Sequence, residues 1–439
     1  MTWLQRYRVR HYIRNSIWLL PVAGMAVGIL VVRLLHRLES SMAWESKFQP
    51  EGARAVLGTL AASIFTLVVF VSSALLVVLQ LASAQLSPRI IGIVFRNPVA
   101  KLSITAFVFT FTVTIATLAR IDATVPLLTT ELATYSCIAS LGLFLYLIDH
   151  LGTALRPSGA LHAIVQLGKA VIEHVYPQHL DNTPIHPAEP APSLPTPGDH
   201  PSVITNLRDG MLLAFDHPGL VALARTTDCT IELVPQVGDF VAAGDPLFRI
   251  AQRGDAVSVP VLRQSVALGQ ERTVEQDPTF VFRILVDIAA KALSPAINDP
   301  TTAVLVLDQI HHLLRTVGKR HLDEGLVHDA NGQLRFGYRT PNWEDFVQLA
   351  VTEIRLFGGS SIQVARRLRA MLENLIQVLP EQRRPVLRHE LSLLHKTAER
   401  SFPEAEDRAL AGVSDCQGVG GSSPQSGGNG RSAPNIQNP

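Results

Sequence analysis

The sequence predicts an α-helical integral membrane protein with four transmembrane helices, followed by a cytosolic α+β region made of a small β module and a helical domain. Three observations carry this. Four apolar segments, near Ile17–Leu35, Val56–Leu81, Leu102–Ala119 and Leu132–Ile148, each match the roughly 17–25 residues that cross a bilayer core as a helix. Beyond a proline-rich stretch, short β-like runs alternate with turn residues. From Asp277 onward, apolar residues recur at helical spacing. Composition agrees, with 47% hydrophobic and only 17% charged residues. A formal net charge of +1 offers no clustered basic face for nucleic acid.

Taken in order, residues 1–16 form a basic tail with Arg6, Arg8, Arg10 and Arg14 and no acidic residue. Residues 17–152 hold the four spans. The loop after the second span carries Arg89, Arg96 and Lys101. The loop after the first balances Arg37, Lys47 and Arg54 against Glu39, Glu45 and Glu51. By the positive-inside rule both termini are expected in the cytoplasm. No charged residue lies in the middle of any span, which argues against a proton-coupled pump.

The second span carries a stripe at alternating steps of four and three: Thr59, Ser63, Thr66, Phe70, Ser73, Val77, Gln80 and Ala84. It is polar or small except at Phe70 and Val77, and Leu67 falls on the opposite, lipid-facing side. A weaker counterpart on the third span runs Ser103, Ala106, Thr110, Thr114 and Thr117. Such residues either let helices pack closely or wet a pore in which Phe70 and Val77 are gating constrictions. Both readings stay open.

Residues 153–176 read as an amphipathic helix and 177–201 as a semi-rigid proline-rich linker. Residues 202–260 read as a compact all-β module, with runs at Met211–Phe215, Thr230–Leu233, Phe240–Ala242 and Leu247–Ile250 and turns that include His217-Pro218-Gly219. Residues 261–411 form the helical domain, and 412–439, rich in Gly, Ser and Asn, are expected to be disordered.

The densest stretch is Gly269–Val304. Asp277-Pro278 and Asp299-Pro300 each open an apolar helical run, because Asp caps the free N–H groups of a first turn and Pro suits its first position. Helices are therefore expected over Pro278–Leu293 and Pro300–Val317, with Ser294-Pro295-Ala296-Ile297-Asn298 as the corner. Arg283, Asp287 and Lys291 stand at steps of four, either as a salt-bridge row or, with Arg272, Gln276 and Asp277, along a polar pocket.

ALSPAINDPTTA, with RTVEQDPTF and PQVGDFVAAGDPL before it, resembles an uncharacterised family of predicted bacterial membrane proteins, over about residues 10 to 400. Arg272, Thr273, Gln276, Asp277, Asp287, Ser294, Pro295, Asn298, Asp299, Pro300 and Thr301 fall on its pattern. The resemblance implies a multi-pass protein of the bacterial inner membrane with a soluble C-terminal half, and brings no catalytic residues. VGDFV and GDPL are also similar to the paired turns of biotinyl and lipoyl carrier domains. No lysine occurs from Ser202 to Ala251, so that likeness implies a barrel-sandwich-like module used as structure.

No G-x-S-x-G elbow, Walker loop, H-E-x-x-H pair or dinucleotide fingerprint occurs. Cys137, Cys229 and Cys416 are far apart, so no metal site, disulfide framework or cofactor is expected. The function expected first is a passive channel or transporter with a cytosolic regulatory domain, in contact with the lipid bilayer and assembled as a homo-oligomer. The alternatives are a membrane-anchored sensor or scaffold, and a membrane-bound hydrolase.

Overall fold

The computed structural model describes residues 1–42, 49–90, 98–122, 124–154, 156–180, 202–252, 257–322 and 325–420. Glu45, Lys47 and Arg96, linker residues 181–201 and the tail after Gly420 lie outside them. Two compact units emerge, one of residues 1–164, 212–228 and 253–270, the other of residues 165–211, 229–252 and 271–439.

The first unit opens with α1 (Trp3–Asn15). Four helices then prove long and apolar enough to cross a membrane: α2 (Leu19–Met42), α3 (Pro50–Gln85), α4 (Pro98–Leu118) and α5 (Leu127–Ala154). Each begins or ends beyond its apolar segment, and α3 is the longest. Pro50 suits its first turn and no proline interrupts it before Pro88, so its 36 residues run about 54 Å. That exceeds a hydrocarbon core of about 30 Å.

α4 is the centre of the bundle and packs against α2, α3 and α5. This explains its hydroxyl content. Ser103, Thr110, Thr114 and Thr117 are buried, and the Thr110 hydroxyl meets that of Ser140 on α5 at 2.9 Å. On its other side, Gly24 and Gly28 of α2 admit Thr105, Phe109 and Thr112, the close approach that small residues four apart allow.

Charged side chains close helix ends around these spans. Glu39, buried at the end of α2, accepts the Leu128 and Thr129 amides at the start of α5, where a carboxylate complements the helix dipole. Arg54 donates to the Ile121 carbonyl after α4, and Lys101 donates to the Arg14 carbonyl ending α1 at 2.6 Å.

After α6 (Pro157–Val175) the chain forms an α+β region with two small sheets. Its strands are β1 (Ser202–Thr205), β2 (Gly210–Phe215), β3 (Thr230–Leu233), β4 (Phe240–Val241), β5 (Pro246–Ala251), β6 (Val266–Gly269), β7 (Leu326–His328) and β8 (Leu334–Tyr338). One sheet runs β1-β5-β3-β8-β7 and the other β4-β2-β6. The pairs β1/β5, β3/β5 and β7/β8 are antiparallel, while β3/β8 is parallel.

The stretch expected to be all β differs in two respects. It contains the helix α7 (His217–Thr226), where His-Pro-Gly had been expected to turn, because Asp216 caps it through the Gly219 amide at 3.1 Å with Pro218 in its first turn. Its sheet is also completed from outside, by β7 and β8. A short helix, α8 (Val259–Gln264), precedes β6.

The helical part comprises α9 (Pro278–Ala292), α10 (Pro300–Gly318), α11 (Trp343–Phe357), α12 (Ile362–Val378), α13 (Arg384–Ser401) and α14 (Ala405–Ala411). One face of α9, Phe280, Ile284, Ile288 and Ala292, is buried. So are Phe282, Val286 and Ala289 on its other sides, as expected of a helix apolar nearly all round. Its neighbours include α6, whose Gly168 lies against Val281 and Leu313, and α11, where Phe346 meets Phe282 edge-on at 5.4 Å.

The segment after α14 is ordered to Gly420, although disorder was expected from Gly412. Asp415 accepts the Gln417, Gly418 and Gly420 amides at 3.0, 2.9 and 2.7 Å. Arg366, wholly buried on α12, donates to the Val413 and Gly420 carbonyls. Burial pushes the Asp415 carboxyl up, but the three amides and Arg366 outweigh it and hold it below the usual value.

Candidate functional site

Two groups of residues are candidates, the stripe on α3 and the cluster around the two Asp-Pro steps. On α3, packing selects one face. Leu57, Ala61, Ile64, Val71 and Val78 are buried, Leu57 in a cluster with Val32 and Val113 and Val71 in one with Phe107 and Leu147. The stripe lies away from that face: Thr59, Ser63, Thr66, Phe70, Ser73, Val77 and Gln80 are all exposed. Thr59, Ser63 and Thr66 each donate back to the carbonyl four residues earlier, at 2.9 Å. Phe70 is 57% exposed and touches Phe144 of α5 edge-on at 5.9 Å. Apart from this Phe70 contact, the stripe lies off the buried face of α3, unlike its largely buried counterpart on α4. Leu67, expected to face lipid, packs instead against the Val71–Phe107–Leu147 cluster.

In the second group, Asp277 caps α9 through the Phe280 amide at 3.0 Å and accepts the Thr279 hydroxyl at 2.6 Å. It is 3% exposed and forms an ion pair with Arg272, which also donates to the Thr279 hydroxyl. The Arg272 guanidinium lies 5.4 Å from the Phe280 ring centroid. On the strand side it presses on Gly238, a turn residue with φ of +96°, where an added Cβ would meet the guanidinium at 2.5 Å. So the VGD turn and the RTVEQDPTF stretch meet at one arginine. The Thr273 hydroxyl is buried without a hydrogen-bond partner among the described residues, and Gln276 is half-buried beside the cap.

Asp287 is elsewhere on α9, paired with Arg283 at 2.6 Å. Arg283 also grips both carboxylate oxygens of Glu353 on α11. That hydrogen bond, against a smaller opposing effect of burial, holds the Glu353 carboxyl below its ordinary value. At the far end of α9, Asp299 caps α10 through the Thr302 amide at 3.0 Å and hydroxyl at 2.6 Å. Asn298 takes φ +47°, a left-handed conformation that Asn tolerates better than most residues, and donates its amide to the Ser294 carbonyl at 2.8 Å. The Ser294 hydroxyl closes the corner on the Lys291 carbonyl at 2.7 Å. Pro295 to Asn298 are exposed.

The structure thus distributes the expected pocket residues over the start, middle and end of α9, a 15-residue helix about 22 Å long. It joins Arg272 to Asp277 and the Ser294–Asp299 corner to itself, and does not join the two. Sequence reasoning missed Gly238, Thr279 and Glu353 as partners; the positive-φ turn was signalled by Val-Gly-Asp, but the non-local pairings had no signal. Among the described residues no group of His, Cys, Asp or Glu could hold a metal ion.

Comparison with known proteins fits this outline. Uncharacterized proteins of Mycobacterium bovis and Mycobacterium tuberculosis H37Rv are each 27% identical over 430 residues, covering 92% of this chain and 80% of theirs. No solved structure matches. A family model described as "Predicted membrane protein (DUF2254)" matches residues 14–374, which takes in the four spans, both sheets and most of α12. The chain belongs to this family of predicted membrane proteins.

Proposed function

We propose that several copies of the chain form a passive channel or transporter pore, under the control of the cytosolic α+β region. The observation that supports this is the outward stripe of α3, from Thr59 to Gln80, which is exposed and, apart from the Phe70 ring against Phe144, lies off the face that packs in its own bundle. One helix cannot enclose a path, so the reading requires a closed ring that brings copies of α3 around one axis. Hydroxyls at Thr59, Ser63, Thr66 and Ser73 then wet the path, and Phe70 and Val77 close it by excluding water. No fixed charge lies on the stripe, so discrimination between cations and anions is weak.

The test is conductance of purified protein in planar bilayers. Phe70→Ser and Val77→Ser are expected to raise current well above wild type. Leu76→Ser, at a position 61% exposed but off the stripe, is expected to leave it unchanged. No current from wild type and both stripe variants overturns the pore. Dissociation of an oligomer by bulky changes at Ser63 or Thr66, without conductance in any variant, assigns the stripe to packing between copies instead.

A further inference from the structure

We infer that α1 is a docking surface for anionic phospholipid headgroups, an inference independent of the pore reading. Arg6, Arg10 and Arg14 follow at steps of four along one row of this helix, all exposed, with exposed Arg8 on another row. No acidic residue occurs before Glu39, and among the described residues none of the four pairs with a carboxylate. Like charges at this spacing repel and destabilise a helix unless anions lie between them.

The surroundings say which anion. Val9, Tyr12 and Ile13 are 46%, 54% and 45% exposed; Val9 and Ile13 stand beside the arginine row and Tyr12 between Val9 and Arg8, so the surface offers apolar side chains and guanidinium groups together. Only Ser16–Trp18 separate α1 from the apolar helix α2, and Tyr12 meets Trp18 edge-on at 6.4 Å. A short connection to a span and exposed aromatic rings put α1 at the boundary of the bilayer. There the apolar side chains enter the acyl region and the arginines reach phosphate oxygens, where the planar fork binds bidentately. A free phosphate ion leaves the apolar residues unserved.

The helix is also held in register before lipid arrives. Thr2 and Gln5 form a reciprocal cap at its start, and Trp3, Tyr7 and His11 stack along one row at 5.4 and 5.9 Å. Lys101 fixes its end through the Arg14 carbonyl.

The experiment is a thermal melt of full-length, delipidated protein in detergent, titrated with phosphatidylglycerol, phosphatidylcholine or sodium phosphate. Phosphatidylglycerol is expected to raise Tm, the two others to leave it unchanged, and the shift to shrink as NaCl rises. The Arg6→Gln/Arg10→Gln/Arg14→Gln variant is expected to need roughly a hundredfold more phosphatidylglycerol for the same shift, at the usual worth of a basic residue near an anionic surface. The corresponding triple Lys variant keeps most of the response. Equal stabilisation by both lipids overturns the proposal, as does an unchanged titration midpoint in the Gln variant. Equal protection by phosphate assigns the row to a soluble anion and also overturns it. If the Gln variant does not fold, the lipid comparison and salt series on wild type decide.

Discussion

At the scale of single residues, the two Asp-Pro steps look alike in sequence and differ in what they carry. Asp299 is half-buried, and among the described residues its carboxylate serves Thr302 alone, so its charge matters little and an amide oxygen can replace it. Asp277 is buried and also neutralises Arg272. Asp299→Asn is therefore expected to be mild and Asp299→Ala to cost about 1 kcal/mol. Asp277→Asn leaves a half-buried guanidinium unpaired and is expected to cost about 1–2 kcal/mol more than Asn at 299. Melting of the full-length variants ranks them, and equal shifts for the two Asn variants would refute a structural ion pair at Asp277. The capping roles were legible because a cap is written within four residues. The contact of Arg272 with Gly238 was not, since 34 positions separate the two and only folding shows that they touch.

Among elements, the apolar segments and the helices of the soluble half were legible because their periodicity extends over many residues. α9 and α10 run from Pro278 to Ala292 and from Pro300 to Gly318, each within one residue of the helix its spacing predicted. α7 was hidden by Pro-Gly, which signals a turn until the preceding Asp is recognised as a cap. The two hydroxyl stripes looked alike in sequence, and only packing separates the buried one on α4 from the exposed one on α3. Packing also gives Gly24 and Gly28 of α2 different tolerances. A Cβ at Gly24 would lie 2.8 Å from the Thr105 methyl, whereas at Gly28 the nearest atoms are 3.4 Å away. Gly24→Val is expected to destabilise the bundle by about 1–3 kcal/mol. Gly58→Ala and Gly142→Ala, where nothing lies within 4 Å, are expected to be neutral or to gain up to about 1 kcal/mol from helix propensity. Melting temperatures in detergent check both, and a Gly24→Val protein as stable as wild type would show that α2 and α4 do not cross closely at this point.

For the whole molecule, the unequal distribution of Arg and Lys around the spans makes a topological prediction. An engineered cysteine at Gly52, in the first turn of α3, is expected to react with a membrane-impermeant maleimide in intact cells, and one at Ser202 only after lysis. The opposite pattern would invert the assignment, and with it the placing of the α+β region in the cytoplasm. What remained illegible at this scale was the order of strands. The five-stranded sheet draws β7 and β8 from beyond two long helices, and no local pattern encodes that return. Its position in the chain matters during synthesis. The Thr230 hydroxyl at the start of β3 waits for the Leu334 carbonyl, 104 residues later. At about 5–20 residues per second, a ribosome leaves that edge of β3 open for on the order of 5–20 s. Throughout that interval the nascent chain is already tethered by its spans, so the unfinished sheets of neighbouring ribosomes on one message are held at the same membrane surface, where a chaperone that shields bare strand edges would act.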